Sequence, residues 1–370
     1  MSASSSSPFV AAAPPALFLA QRQRMMLLLA GLSGLLLLSL TFSITLGPVD
    51  ISAAAVWQIT LHKLAALAGL DILRGDWAAA QHNIVWLIRL PRVLLAALVG
   101  AGLAVVGVTM QAMVRNPLAD PYLLGVSSGA SVGAVCVLAY GALGFAGGYA
   151  LPLGAFSGAL VACVAVYLLA HSSGRLLAPR LILGGIAIGY CLSGVTSLIT
   201  LTAGQRELAN AVLTWILGSL AGTQWSDLGL PAVVLLAGTL WLALQARALN
   251  ALLSGDETAS TLGVDTTRVR RSLFLVVSLL TGVMVAVSGA IGFVGLMIPH
   301  ITRMLVGCEH RRVLPVSMLI GAIFLVWVDV FARVSFAPSE VPVGIFTALL
   351  GGPFFVWLLY RQRLPAGMGR

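Results

Sequence analysis

Very few side chains in this sequence could carry chemistry, and they are unevenly placed. Only 9% of the 370 residues are charged, yet SGDETASTLGVD (254–265) holds three acids between apolar runs. The five histidines (His62, His82, His171, His300, His310) are dispersed, and no HExxH, P-loop or GxSxG pattern occurs. The cysteines have no CxxC or metal spacing. Cys136, Cys163 and Cys191 fall inside apolar runs, where a thiol packs as a small hydrophobe. The sequence therefore predicts no metal site and no catalytic group. Ionisable residues are also scarce deep in the apolar runs, whereas a proton relay or sodium-coupled carrier needs carboxylates there. Any energy source is expected outside this chain.

The polar island has a local reading of its own. Ser254 followed by Glu257 has the spacing of a capping box, which starts a helix. Gly263 suits a left-handed helix end, and Asp265 or Thr266 can cap the helix that follows. The expectation is a short helix, a sharp turn and a second helix. Leu252, Ala259 and Leu262 would face the rest of the protein or a partner. An ordinary structured loop fits the local pattern equally well. His300, after Pro299, is expected to make a structural hydrogen bond rather than to ligate.

The elements that position these residues follow from composition. Hydrophobic residues make up 59% of the chain, and its mean hydropathy is +1.02. That surplus cannot be covered by a polar surface in water. Apolar runs repeatedly reach the ~18–20 residues needed to cross a bilayer. The spans must be helices, because lipid leaves no partner for exposed backbone groups and no period-2 pattern is present. The fold class is thus all-α, a polytopic membrane protein of about ten transmembrane helices. The expected spans are 25–46, 90–113, 122–140, 150–170, 181–203, 228–246, 272–290, 293–306, 313–332 and 342–360, the eighth too short to cross unaided. Residues 1–24 read as a mobile cytoplasmic tail without the basic start of a cleaved signal, and 364–370 as a C-terminal tail.

Net charge is +9, but the basic residues stand singly at the ends of apolar runs. That pattern sets membrane orientation and gives no footprint for nucleic acid. With both termini cytoplasmic, only Lys63, Arg74, Arg89, Arg92, Arg206 and Arg333 of the 21 Lys and Arg residues fall outside, and the island lies in the cytoplasm. Residues 50–67 have the spacing of a helix along the interface. Residues 205–218 read equally as a half-helix dipping into a central cavity or as a surface helix. Gly100/Ala104, Gly154/Gly158 and Gly185/Gly189 are spaced for close helix packing in lipid. The similar stretches 92–110 and 271–289, running in opposite directions, hint at an inverted repeat.

RNPLADPYLLGVSSGAS (115–131), SGAIGFVGLMIPHITRML (288–305) and EVPVGIFTALLGGPFFVWLL (340–359) closely resemble the permease subunits of bacterial ABC importers for ferric siderophores, haem and vitamin B12. RLPR (89–92) and the GDETASTLGV segment fit too, and the motifs run in order over about 25–363. The resemblance implies an inverted-repeat type II ABC importer permease of the inner membrane, working as a pair with a second copy of itself. It implies two cytoplasmic ATP-binding subunits, which hold ATP and Mg, and a periplasmic binding protein outside. The chain itself would not be an enzyme and would bind no cofactor. Residues 252–265 would contain the coupling helices, with Ser254, Gly255, Asp256, Glu257, Thr258, Ala259, Leu262 and Gly263 meeting the ATPase. Arg89, Arg92 and Arg333 match arginines that receive acidic residues of the binding protein. The same residues also read as interfacial anchors, and Arg333 as an i,i+4 partner of Asp329. The cytoplasmic gate of the B12 relatives uses small hydroxyl residues, where this chain has Ala178-Pro179. Met110 and Met113 suit the path of a flat apolar ligand, which favours haem over a ferric siderophore and, more distantly, vitamin B12. A secondary carrier is the alternative from another class.

Overall fold

The computed structural model describes residues 15–47, 49–69, 77–172, 175–204 and 206–363. The helices are α1 (Pro15–Thr45), α2 (Ala53–Leu67), α3 (Ala79–Asn83), α4 (Leu90–Val114), α5 (Val126–Tyr140), α6 (Ala150–Ala170), α7 (Ala178–Thr202) and α8 (Arg206–Ile216). They continue with α9 (Gly229–Leu244), α10 (Ala246–Leu253), α11 (Asp256–Thr261), α12 (Thr266–Ser288), α13 (Val294–Val306), α14 (His310–Val334) and α15 (Val343–Arg363). Extended pairing among the described residues is confined to a two-residue antiparallel contact, His171–Ser172 with Arg175–Leu176. Eight helices there are long and apolar enough to cross a bilayer, and α5 and α13 are shorter apolar helices.

Of the two short helices, α5 corrects an expected span and α13 matches the short eighth one. At 15 residues α5 covers about 22 Å, against a hydrocarbon core of about 30 Å. The run read as one span over 122–140 is broken. A 3-10 turn at Pro121–Leu124 leads into Gly125 at φ +70°, and only then does α5 begin. Helix α13 has 13 residues and follows Phe293 at φ +67°. The two starts meet, since the Tyr122 hydroxyl donates to the Ile291 carbonyl at 2.9 Å. The N-terminal boundary also moves. Helix α1 begins at Pro15, a residue type suited to a first turn, so 15–24 belong to a helix. Residues 1–14 and 364–370 lie outside the described residues.

Helix α4 is the centre of the fold. It is apolar on every face and buried along nearly its whole length, packed on α14, α13 and α12. Its neighbour α14 runs antiparallel, with Arg92 meeting Asp329 and Gly100 meeting Gly321. Helix α12 is antiparallel as well, Gly102 lying against Met284 and Met113 against Arg270. That is the relation expected of the two halves of an inverted repeat. The small residues do what their spacing predicts. A Cβ at Gly100 or Gly321 would strike the facing backbone, and Gly129–Gly158 and Gly133–Gly154 bring α5 and α6 together the same way. Gly185 packs on the Leu123 carbonyl.

Helix α3 runs into α4 through a π-helical turn at Ile84–Arg89. Pro91, in the first turn of α4, has no N–H to give, and the wider turn accommodates its ring within a continuous rod. Helix α2 forms as its spacing predicts, capped by the Ser52 hydroxyl on the Ala55 N–H and burying Val56 and Ile59. Helix α8 buries Leu208 and Val212 against α5. It borders a cavity of about 690 Å³ shared with the start of α6 and the end of α12.

Candidate functional site

Two polar clusters sit at opposite ends of α4. The first is built on the polar island. Helix α10 ends at Ser254, whose N–H donates to the Ala251 carbonyl. Gly255 then takes φ +107°, and Asp256 opens α11. The expected Ser254 capping box is absent: Ser254 closes the preceding helix in an αR conformation, so its hydroxyl cannot cap the next one. The start of α11 is held by Arg270 instead. The Arg270 Nη1 and Nη2 donate to the two Asp256 carboxylate oxygens at 2.9 and 2.7 Å, and its Nε donates to the Met113 carbonyl at 3.2 Å. One guanidinium thus joins α11, α12 and the end of α4. Its hydrogen bonds hold the Asp256 carboxyl below the usual carboxylate range against the opposing effect of burial, and the charges of Arg270 and Arg115 add to this.

The rest of the island follows the sequence reading. Gly263 adopts φ +80° after α11, and the Asp265 carboxylate caps α12 on the Arg268 N–H at 2.9 Å. Leu252 and Ala259 are fully buried, while Leu262 is 67% exposed. The knob therefore turns one face inward and presents Glu257, Thr258 and Leu262 outward. Beside it, a recess of about 510 Å³ is lined by Arg115, Asn116, Ala178, Pro179 and Ile182. Ala178 and Pro179, the positions expected at the gate, lie at its wall.

Two further polar links brace this end, and the sequence reading missed both. Arg303 on α13 donates to the Gln111 side-chain oxygen on α4, and the Gln111 amide donates to the carbonyls of Gly295 and Leu296. Asn250 Oδ1 accepts from the His310 N–H at 3.0 Å and from its Nδ1 at 2.6 Å, tying α10 to the start of α14. The detectable signal was a polar or basic residue standing alone in an apolar run. His300 departs from expectation: it has no hydrogen bond among the described residues and packs edge-on against Phe354 at 6.0 Å.

The second cluster collects the three predicted arginines. Arg92 Nε and Arg333 Nε donate to the two oxygens of Asp329 at 2.8 and 3.0 Å, and that carboxylate is fully buried. Arg92 also reaches Glu340 at 2.8 Å. Arg333 Nη2 donates to the carbonyl and hydroxyl of Ser43, and Arg89 donates to the carbonyls of Ile44, Thr45 and Val49. All three arginines are 5–6% exposed. They lock the end of α1 to α4 and α14, which fulfils the i,i+4 reading of Asp329 and Arg333.

Met110 and Met113 correct the pathway reading. Both are fully buried among α4, α12 and their neighbours, because α4 is the central helix and has no open face at that level. Within the protomer they are packing residues.

Comparison with known proteins agrees with this geometry. The profile of the FecCD transport family matches residues 35–361. The cobalamin import system permease protein BtuC of Halobacterium salinarum is 40% identical over 361 residues, covering 90% of this chain and 96% of that one. The hemin transport system permease protein HmuU of Yersinia pestis is 43% identical over 296 residues, covering 78% and 88%. A solved ABC transporter of metal-chelate type, in an inward-facing conformation, superposes with a TM-score of 0.77 at 32% identity over 90% of this chain and 98% of the other. These likenesses extend over most of the helical bundle, and the chain belongs to the FecCD transport family of ABC-importer permeases.

Proposed function

We propose that the chain is the membrane-spanning subunit of an ATP-driven importer for a tetrapyrrole-sized chelate, with haem as the cargo. The observation that carries the importer reading is the knob at 254–265, clamped rigidly to α12 and α4 by Arg270 while Leu262 stays exposed. A motor subunit can push on such an element, whereas a loose loop would absorb the motion. The partners are a second copy of the chain, two ATP-binding subunits at the Arg270 end, and a binding protein at the Arg92 end. On this reading the chain spans the bacterial inner membrane with both termini cytoplasmic. The haem reading draws support from the similarity to a hemin permease. Vitamin B12 is the second reading, since relatives named for cobalamin are similar over more of the chain.

Vesicles reconstituted with the permease, its ATPase and its binding protein should accumulate haem on addition of ATP. Uptake of vitamin B12 or a ferric siderophore without haem overturns the cargo and keeps the importer. Uptake that ignores ATP and collapses with the proton gradient overturns the importer. Arg89 and Arg92 are buried and bonded within the protomer, so Arg89→Glu with Arg92→Glu should lower the melting temperature as well as binding-protein capture. Lost capture speaks for docking only in a variant that melts as the parent does, and normal capture by such a variant removes these residues from docking.

A further inference from the structure

An apolar groove runs along the seam of α6 and α12 and has no place in the transport reading. Its two halves share Phe156 and Leu279. One half, about 470 Å³, lies between α6, α9 and α12 and is lined by apolar side chains such as Leu230 and Val283. The other, about 510 Å³, passes Leu160, Cys163 and Leu275 and ends at Tyr167 and Arg271. Along α12, the stretch from Arg271 to Gly282 rises about 16 Å, close to the half-thickness of a bilayer's hydrocarbon, about 15 Å. The second half is therefore as long as the acyl region of one leaflet.

Its mouth has the matching polarity. Arg271 is exposed and makes no ion pair or hydrogen bond among the described residues. Its neighbours are committed elsewhere: Arg270 to Asp256, and Arg268 to Asp265. Tyr167 lines the same half of the groove, stacked on His171 at 5.7 Å and tilted against Phe274. A free guanidinium with an aromatic ring, above an apolar trough one leaflet deep, matches a phosphate headgroup above its acyl chain.

We propose that this groove is a specific site for one anionic phospholipid, drawn from the leaflet at the Arg271 end. The phosphate sits on the Arg271 guanidinium, and one acyl chain lies along α12 down to Phe156. The lipid fills the α6–α12 seam beside the helix that carries the Arg270 clamp, so it stiffens the start of α12.

The test uses the full-length permease purified in mild detergent. Native mass spectrometry follows added phosphatidylglycerol and phosphatidylcholine of the same acyl chains. The expected result is one phosphatidylglycerol retained per chain, with phosphatidylcholine lost under the same activation. Arg271→Gln should lower the preference about tenfold and Arg271→Lys should keep most of it. Leu279→Trp, which fills the trough from an exposed position, should lower retention of both lipids. Equal retention of the two lipids by the parent protein overturns the site. So does a preference that survives Arg271→Gln, because the lipid would then be part of a non-selective annulus.

Discussion

Asp329 accepts hydrogen bonds from two buried guanidinium groups, and this single carboxylate decides whether the Arg92 end holds together. Asp329→Ala would leave Arg333 without a counter-charge in a buried site, at a cost of about 3–5 kcal/mol. The variant should melt well below the parent in detergent, and an unchanged melting temperature would show that water replaces the carboxylate. Asp256 gives a pH signature at the other end. Its carboxyl is held below the usual range, so the clamp contributes in full above the unfolded value of about 3.9 and is lost as pH falls through the lower folded value. The stability difference between the parent and Asp256→Asn should be constant near neutral pH and vanish in strong acid. A difference that persists in acid would mean that the charge of Asp256 is not what Arg270 holds. The sequence spacing revealed Asp329 with Arg333, because four residues along a helix are neighbours. It could not reveal Arg92 with Asp329, which lie 237 positions apart. It also could not show that Met110 and Met113 are core, since periodicity does not say which apolar helix stands in the middle.

The helix–turn–helix of the polar island was legible because Gly263 and Asp265 act through their own backbone and the next turn. Ser254 failed as a cap because one residue cannot both end α10 and start α11, and Gly255 takes the positive-φ conformation between them. The broken helices were hidden for another reason: the 3-10 turn at Pro121–Leu124 is as apolar as a span, so hydropathy runs straight through it. A contrast between two variants tests the knob. Gly263→Val forces a β-branched residue to φ +80°, which should misplace Leu262 and weaken retention of the ATPase during purification. Ser254→Ala removes a hydroxyl with no capping bond and should leave both retention and transport at the parental level. Loss of the ATPase with Ser254→Ala, or normal transport with Gly263→Val, would overturn the rigid-knob account.

Across the whole molecule, burial is graded from the centre outward. Helices α4 and α12 are mostly enclosed, whereas the spans α7 and α15 are 11% and 22% buried along their apolar windows. Lipid alone would satisfy such faces. Gly194 on α7 and Gly352 on α15 have open space where a Cβ would stand, as do Gly31 and Gly34 on α1, the least buried span. Glycine lowers helix propensity by about 1 kcal/mol relative to alanine, and within the protomer none of these residues serves a close contact. The close approach they permit is to a helix from another chain. Gly194→Leu and Gly352→Leu should therefore leave the single chain folded, because no atom of its own is displaced. Together they should shift the purified permease from dimer towards monomer by mass photometry in detergent, with loss of transport. The control is Gly107→Leu, whose side chain would strike the Gly295 backbone and should unfold the protomer itself. A double variant at 194 and 352 that remains dimeric would place the partner chain on a different face, leaving α7 and α15 to lipid.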